Sequence, residues 1–435
     1  MSFKYAHLAD LHLGSWREEK MRDLSTKAFL MALDKCVADQ VDFILFTGDL
    51  FNTSLPALDT LKLVTKRLKE LKDKGIALYT IAGSHDFSPS GKTMIDVLEN
   101  AGLLKNVCKG SVNPETKELE LRFTVDEKTG AKMLGILGRR GMLDRLYYEN
   151  LHRESLEGEE GYKIFLFHTT IGELLPKHLD LMDSQPLSFL PRAFNYYAGG
   201  HIHHPTKKEF PPDYPVVTYA GALFPNNFAE VERYGHGGYY LISVDSELGD
   251  SSSNSHGNST TGDFGVGSIK QNVAWVPLEV IKHRSYELNC NNKAPEIVTY
   301  EIMDAFENEK LDNTLVTLRL YGILSRGHVS DVNFKEIFDR LYNRGAYFVM
   351  KNTVKLESQT FEEIKSAISN PENLEEETIK EHLGQVKLFE IGLELDLTKS
   401  LLQALATSKR EGETATDYQR RIESDMNRLL EIDFS

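Results

Sequence analysis

Residues 3–9, Phe3-Lys4-Tyr5-Ala6-His7-Leu8-Ala9, read as a strand that runs into Asp10-Leu11-His12 and a glycine turn at Gly14. Over 20–39, Leu24, Ala28, Met31 and Ala32 recur at helical spacing. The run 41–46 predicts a second strand, ending in Thr47-Gly48-Asp49. A helix over about 57–74 leads to a third strand, 76–81, and then to Ala82-Gly83-Ser84-His85-Asp86. The pattern continues with a helix at 92–104 and two strands across 121–138 that turn near Gly130. A strand at 164–167 stops at His168, and Tyr196-Tyr197-Ala198 delivers Gly199-Gly200-His201-Ile202-His203-His204. Strands alternating with helices predict an α/β layer whose parallel strands bring residues to one edge.

Further along, 246–268 is rich in Ser, Gly, Asn and Thr, has almost nothing to bury, and reads as a flexible excursion. Strands near 272–288, a helix near 295–308, a strand at 314–321, a helix at 331–344 and a strand at 346–353 predict a small α+β domain. The tail spaces Phe389, Leu393, Leu397 and Leu401 four apart, then Tyr418, Ile422, Met426 and Leu429-Leu430 in the same register. Two amphipathic helices read either as a partner-binding element or as helices folded back on the chain's own body. The expected organisation is 1–245 as the chemical domain, 246–268 as the excursion, 269–354 as an α+β cap, 355–384 as an acidic linker and 385–435 as the helical segment.

A chain of 435 residues is too long for one ordinary core. Hydrophobic residues at 41% and charged residues at 26% are ordinary for a globular protein, and no apolar run approaches the ~18 residues of a membrane span. The first residues enter a strand without a basic, then apolar, leader, and Cys36, Cys108 and Cys290 are few and far apart. A reducing, cytoplasmic setting without a cysteine zinc site is the expectation. The net charge of −15 argues at first against nucleic acid. However, −8 of it falls in the last 81 residues, and divalent cations would add positive charge where phosphate must bind.

Side chains two apart in an extended chain share a face, so Asp10 and His12 could grip one cation. Alone, that spacing is weak, and a buried Asp–His hydrogen bond is the commoner explanation. The strand ends together carry Asp10, His12, Asp49, Ser84, His85, His168, His201 and His203. Oxygen and imidazole donors without thiolate suit manganese, iron or zinc, and this many point to two ions, with Asp49 from a central strand as the bridge. Two ions ~4 Å apart can activate a hydroxide and clamp phosphate oxygens, so the implied reaction is phosphoester hydrolysis. His7 is expected to be a core residue, and His152, His178 and His236 surface or structural ones. His204 should point away from His203.

The ordered set Asp10-Leu-His12, Gly48-Asp49, Gly83-Ser84-His85-Asp86, His168 and Gly200-His201-Ile202-His203 is similar to the calcineurin-like metallophosphoesterase motif series. More narrowly, Ala9 to Gly14, Thr47 to Phe51 and Gly200 to His203 resemble the archaeal and bacterial meiotic-recombination-eleven (SbcD-type) nucleases. The resemblance implies a sandwich of two mixed sheets flanked by helices, a smaller α+β capping domain and a C-terminal helical tail. It implies two Mn2+ per subunit: Asp10, His12, Asp49 and His203 around the first, with Asp49 bridging, and His168, His201 and Ser84 around the second. It casts His85 as the group that protonates the leaving oxygen, with Asp86 orienting it.

The resemblance also implies a homodimer through the helices at 57–74 and 92–104, with Leu61 and Val97 as contacts. The tail would dock on the coiled coil of an SMC-like ABC ATPase of the SbcC type. Two positions depart from the family pattern: residue 84, commonly asparagine there, is serine, and Asn52 stands where many relatives have histidine. DNA contacts are expected from Arg17, Asn52, Lys92, Arg139, Arg140, Lys207 and Lys208. The leading expectation is a manganese-dependent DNA exonuclease and endonuclease subunit acting on double-strand-break ends, in the cytoplasm. The alternatives are a small-substrate phosphodiesterase or phosphatase, and a DNA-tethering subunit with weakened catalysis.

Overall fold

The computed structural model describes residues 2–87, 93–246, 269–358, 391–407 and 415–430. Its contacts divide the chain into two units. One comprises Met1–Leu288, Ile302–Leu320 and Phe334–Thr353; the other comprises Asn289–Glu301, Tyr321–Asn333 and Val354–Ser435.

In the first unit, period-two alternation decides the layering. Phe3 and Tyr5 of the strand Phe3–Leu8 point one way and Ala6 and Leu8 the other. Phe43 and Leu45 join the first set, and Ile44 and Phe46 the second. The strands Phe3–Leu8, Phe43–Thr47 and Ala77–Ile81 pair in parallel within a six-stranded sheet. A second six-stranded sheet contains Lys132–Ile136, Lys163–His168 and Tyr196–Gly200, also in parallel.

Phe3, Tyr5, Phe43 and Tyr79 of the first sheet share one core with Ile164, Leu166, Tyr196 and Ala198 of the second. The outer face of the first sheet packs on Phe29, Ala32 and Leu33 of the helix Glu19–Ala38, and on Val64, Leu68 and Leu71 of Leu58–Asp73. Phe165, Phe167 and Tyr197 cover the outer face of the second with Tyr148 and Leu156. The predicted sandwich of two mixed sheets flanked by helices is therefore present. Each of these fully buried large side chains stabilises it by roughly 1.5–3 kcal/mol.

Several boundaries move. The helix expected at 92–104 is Met94–Asn100, because Thr93 and Asp96 form a capping box and Gly102, at φ +66°, turns the chain away. The strand Ile269–Leu278 pairs antiparallel with Gly237–Ser246 as the edge of the first sheet, although it lies past the expected boundary at 245. The separate three-stranded sheet is built from Lys282–Asn289, Thr314–Leu324 and Ala346–Ser358. The expected excursion (apart from its first residue) and most of the acidic linker lie outside the described residues, as does Phe389.

In the second unit, the helices Ile391–Leu405 and Ala415–Leu430 pack on each other, and none of their described side chains is fully buried. No described helix is long and apolar enough to cross a membrane.

A candidate dinuclear metal centre

The chemistry-bearing residues sit where the central strands end. Beyond Phe3–Leu8, Asp10 (φ +48°) and His12 (φ +41°) leave the extended conformation, as does Asp49 (φ +52°) beyond Phe43–Thr47. His201 has φ +89°. Non-glycine residues rarely adopt this left-handed region, and a set of them where strands of the two sheets end is the kind of local strain that clusters at functional sites. The turns interlock: the His12 amide donates to the Asp49 carbonyl at 2.9 Å, and the Asp10 amide to that of Gly48 at 3.3 Å.

Glycine is required where these loops touch. A Cβ on Gly83 would stand 2.2 Å from Asp49 Oδ1, and one on Gly200 2.0 Å from the Thr47 carbonyl oxygen.

The structure brings together all nine residues expected from the motifs. Donor atoms of Asp10, His12 and His203 lie within 4.8 Å of one another, as do those of His12, Asp49 and His85 and those of Asp10, Asp49 and His168. Asp49 joins the sets: its Oδ2 is 3.6 Å from His12 Nε2 and 3.3 Å from His168 Nε2, while its Oδ1 accepts the His85 amide at 2.7 Å. The His201 amide donates to both Asp10 oxygens, at 2.9 and 3.0 Å, and its ring packs on His168 at 5.2 Å. Ser84 reaches Asp49 Oδ2 only at 3.5 Å.

Backbone carbonyls and one carboxylate fix the imidazoles. His168 Nδ1 is 2.8 Å from the Thr47 carbonyl oxygen, and His85 Nδ1 is 2.8 Å from that of Asn52. A carbonyl only accepts, so Nδ1 carries the proton in both rings and Nε2 is left for chemistry. His203 Nδ1 bonds Glu230 Oε1 at 2.9 Å. Glu230, on the short helix Phe228–Tyr234, escaped the sequence reading because its only signal is an asparagine cap, Asn227.

Asp86 departs from the expected role of orienting His85. Its two oxygens accept the amides of Gly83, Leu50 and Phe51, so it ties the Asp49 loop to the His85 loop, and the Asn52 carbonyl sets the ring.

Burial pushes the Asp10 carboxyl up, and burial together with the Asp49 charge takes Asp86 to about 7. Burial opposes ionisation of Asp49 too, but the charges of His168 and His12 outweigh it and hold that carboxyl well below the usual range. Burial likewise opposes charging of His168 and His203; Asp49 lifts the first to about 10, and Glu230 with Asp10 lifts the second to about 9. Burial and neighbouring imidazoles push His12 to about 3 and His201 to about 4.

The donor set fits divalent cations. His12 Nε2 and His203 Nε2 face each other at 3.1 Å, with Glu230 holding the proton on the far side of His203. His168 Nε2 is buried without a hydrogen bond, 3.3 Å from a carboxylate. Two carboxylates, four imidazoles and a hydroxyl, with no thiolate, are what manganese, iron or zinc accept.

A groove of about 440 Å³ opens beside this cluster, lined by Ser84, His85, His168, His201, Arg139 and Arg140. The Arg139 guanidinium lies 4.7 Å from the Phe87 ring centroid and bonds the Tyr147 hydroxyl at 3.1 Å. The other expected DNA contacts do not line it: Arg17 is exposed, Lys207 pairs with Glu209 and Lys208 with the Glu173 carbonyl. Asn52 contributes its carbonyl rather than its side chain to the site, and Lys92 lies outside the described residues. His7 is the core residue expected, bonded to Tyr196 and Thr47.

Residues 3–205 match the family model described as calcineurin-like phosphoesterase. The chain is 29% identical over 275 residues to the DNA double-strand break repair protein Mre11 of Methanococcus maripaludis, covering 62% of this chain and 66% of that one. It is 30% identical over 243 residues to the protein of the same name from Archaeoglobus fulgidus, covering 53% and 50%. An uncharacterized metallophosphoesterase of Bacillus subtilis, YhaO, is 27% identical over 253 residues, covering 55% and 57%. The chain thus spans about half to two thirds of the length of these relatives.

Proposed function

We propose that residues 3–205, which match the calcineurin-like phosphoesterase model, form a domain of that family, and that the chain is a manganese-dependent nuclease that hydrolyses DNA phosphodiesters at double-strand-break ends. The observation that carries the reading is the convergence of Asp10, His12, Asp49, His85, His168 and His203 into donor sets that share members, each within 4.8 Å. The choice of DNA draws on the printed names of the archaeal relatives and on the paired arginines of the adjoining groove.

Asp10, His12, Asp49 and His203 would hold one cation, and Asp49, His168, His201 and Ser84 the other. Such a pair supplies Lewis acidity toward the phosphoryl oxygens and an activated water for in-line attack. The protein's own groups do the rest. The Thr47 carbonyl and Glu230 aim two imidazoles by fixing their protons on Nδ1. As the P–O bond to the departing strand breaks, His85, held by Asn52, donates from Nε2 in its protonated state. Arg139 and Arg140 bind flanking phosphates, which makes affinity fall steeply with salt.

The same reading proposes a homodimer, the cap expected over residues 269–354 less its first strand, Ile269–Leu278, which belongs to the first sheet, and a tail that docks on an SMC-like ABC ATPase. Exposed Leu55, Leu58 and Val97 on and beside the helices Leu58–Asp73 and Met94–Asn100 support the dimer, although Leu61 is half-buried against its own core. The half-buried apolar faces of the tail helices support the docking role.

The test is digestion of linear duplex DNA by the manganese-loaded chain, beside Asp49→Asn and His85→Leu. Cleavage lost in both variants is expected. Equal cleavage by all three proteins sinks the mechanism, and turnover of an aryl phosphodiester without any of DNA favours a small-substrate enzyme. Calorimetric titration showing one bound ion or none favours the tethering subunit.

A further inference from the structure

On the side of the site formed by the helix Phe228–Tyr234, the chain builds two neighbouring cavities that the metal chemistry does not use. One, of about 300 Å³, is lined by His201 and His203 of the metal centre and by His178, His204, Tyr234 and Arg233. The other, of about 220 Å³, shares His203, Arg233 and Tyr234 and adds His236 and Trp275.

The rings lining them pack beside one another at edge-to-face and tilted angles. His178 meets His204 edge to face at 5.6 Å, His204 meets Tyr234 at 5.6 Å, and His236 lies over Trp275 at 5.8 Å with planes 32° apart. His204 Nδ1 is buried without a hydrogen-bond partner. Arg233 is exposed, lines both cavities, and makes no ion pair among the described residues. The one carboxylate between them, Glu230, is taken up by His203 and by the asparagines at 226 and 227.

A cation flanked on each side by an aromatic-lined cavity is the local repeat of single-stranded nucleic acid: phosphate between two bases. We propose that these cavities hold two successive nucleotides of a single strand running out from the metal centre. The phosphate between them lies on Arg233, one base lies against His204 and Tyr234, and the next against Trp275. The inference deepens the nuclease reading and rests on it for the identity of the strand. It makes Arg233 a positioning residue and leaves it no part in bond breaking.

The test uses the metal-free full chain and a labelled single-stranded tetranucleotide, followed by anisotropy and by tryptophan fluorescence. Trp275 is half-buried and Trp16, the other tryptophan, is buried, so a base stacked on Trp275 should quench the signal. Arg233→Ala should weaken binding about tenfold and Arg233→Lys should recover part of it, the size expected of a charge-assisted phosphate contact. Trp275→Phe should remove the quench.

With manganese, R233A should lower kcat/KM for the oligonucleotide relative to that for bis(p-nitrophenyl) phosphate, mainly through KM. Unchanged affinity in R233A, a quench that survives Trp275→Phe, or an equal fall on both substrates overturns the proposal. A wild-type chain that binds and quenches but hydrolyses neither substrate refutes the nuclease reading and leaves the strand site standing.

Discussion

The two halves of the proposed metal centre are not built alike. Around Asp10, His12 and His203 every donor is a carboxylate or an imidazole, and Glu230 and the His201 amide brace two of them from behind. Around Asp49, His168 and His201 the bracing is by main chain, Thr47 to His168 and His85 to Asp49, and the last donor is the Ser84 hydroxyl. That hydroxyl stops 3.5 Å from the Asp49 carboxylate. One half adds the Glu230 side chain from a distant segment to a main-chain amide, and the other rests on how tightly the strand-end loops pack. Breaking each half therefore calls for a different substitution.

The largest effect should come from the packing of the loops. Gly83→Ala puts a carbon 2.2 Å from Asp49 Oδ1 and 2.4 Å from its amide, both on the residue proposed as the bridge. Because the crowding atoms belong to backbone and to a buried carboxylate, the Asp49 loop must move. A displacement of ~1 Å in a catalytic group costs on the order of a hundredfold in rate. Turnover of bis(p-nitrophenyl) phosphate should fall by at least that factor, with both ions bound more weakly in a calorimetric titration. Activity within a few-fold of wild type would show that the halves are not joined through this contact.

How much of this was legible in the chain follows from where each interaction lies. Period-two alternation through Phe3, Tyr5 and His7 announced the strand, and the strand ends Asp10-Leu11-His12, Gly48-Asp49 and Gly200-His201-Ile202-His203 announced the donors. A short motif carries its chemistry wherever the chain folds. Glu230 did not announce itself, because it meets His203 from a seven-residue helix 27 positions away. Asp86 was visible but misread. The family resemblance implied that it orients His85, whereas three backbone amides claim its oxygens. Arg139 and Arg140 stand among the expected DNA contacts although the net charge gives no sign of them, since it averages over a chain whose acidic residues gather in the tail.

The side-chain bracing of the first half is tested by Glu230→Gln. The variant keeps a hydrogen bond to His203 Nδ1 but removes the charge. Loss of an outer partner of a ligating histidine costs roughly 10–100-fold in metal affinity, and manganese titration should show this at one ion rather than two. The pH response sharpens the point. Burial opposes charging of His203, but Glu230 lifts it to about 9, above its ordinary 6.5. In chelator-treated protein that pairing contributes stability fully below pH 6.5 and loses it as pH rises through about 9. The melting-temperature difference between wild type and E230Q should shrink over that window, and a constant difference would detach Glu230 from His203.

The smallest change, about tenfold at a single ion, should come from Ser84→Asn. An amide oxygen carried one atom further from the backbone spans part of the gap that the hydroxyl leaves to Asp49 Oδ2. It is also a better neutral donor than a hydroxyl. The position is almost fully enclosed, so the added atoms must go toward the cluster or displace its neighbours. If they go toward the cluster, the weaker of the two manganese affinities tightens, the stronger stays put, and turnover at low manganese rises while turnover at saturation changes little. If affinity at both ions falls instead, the cavity at residue 84 is shaped for serine, and the asymmetry between the halves is part of how this centre works.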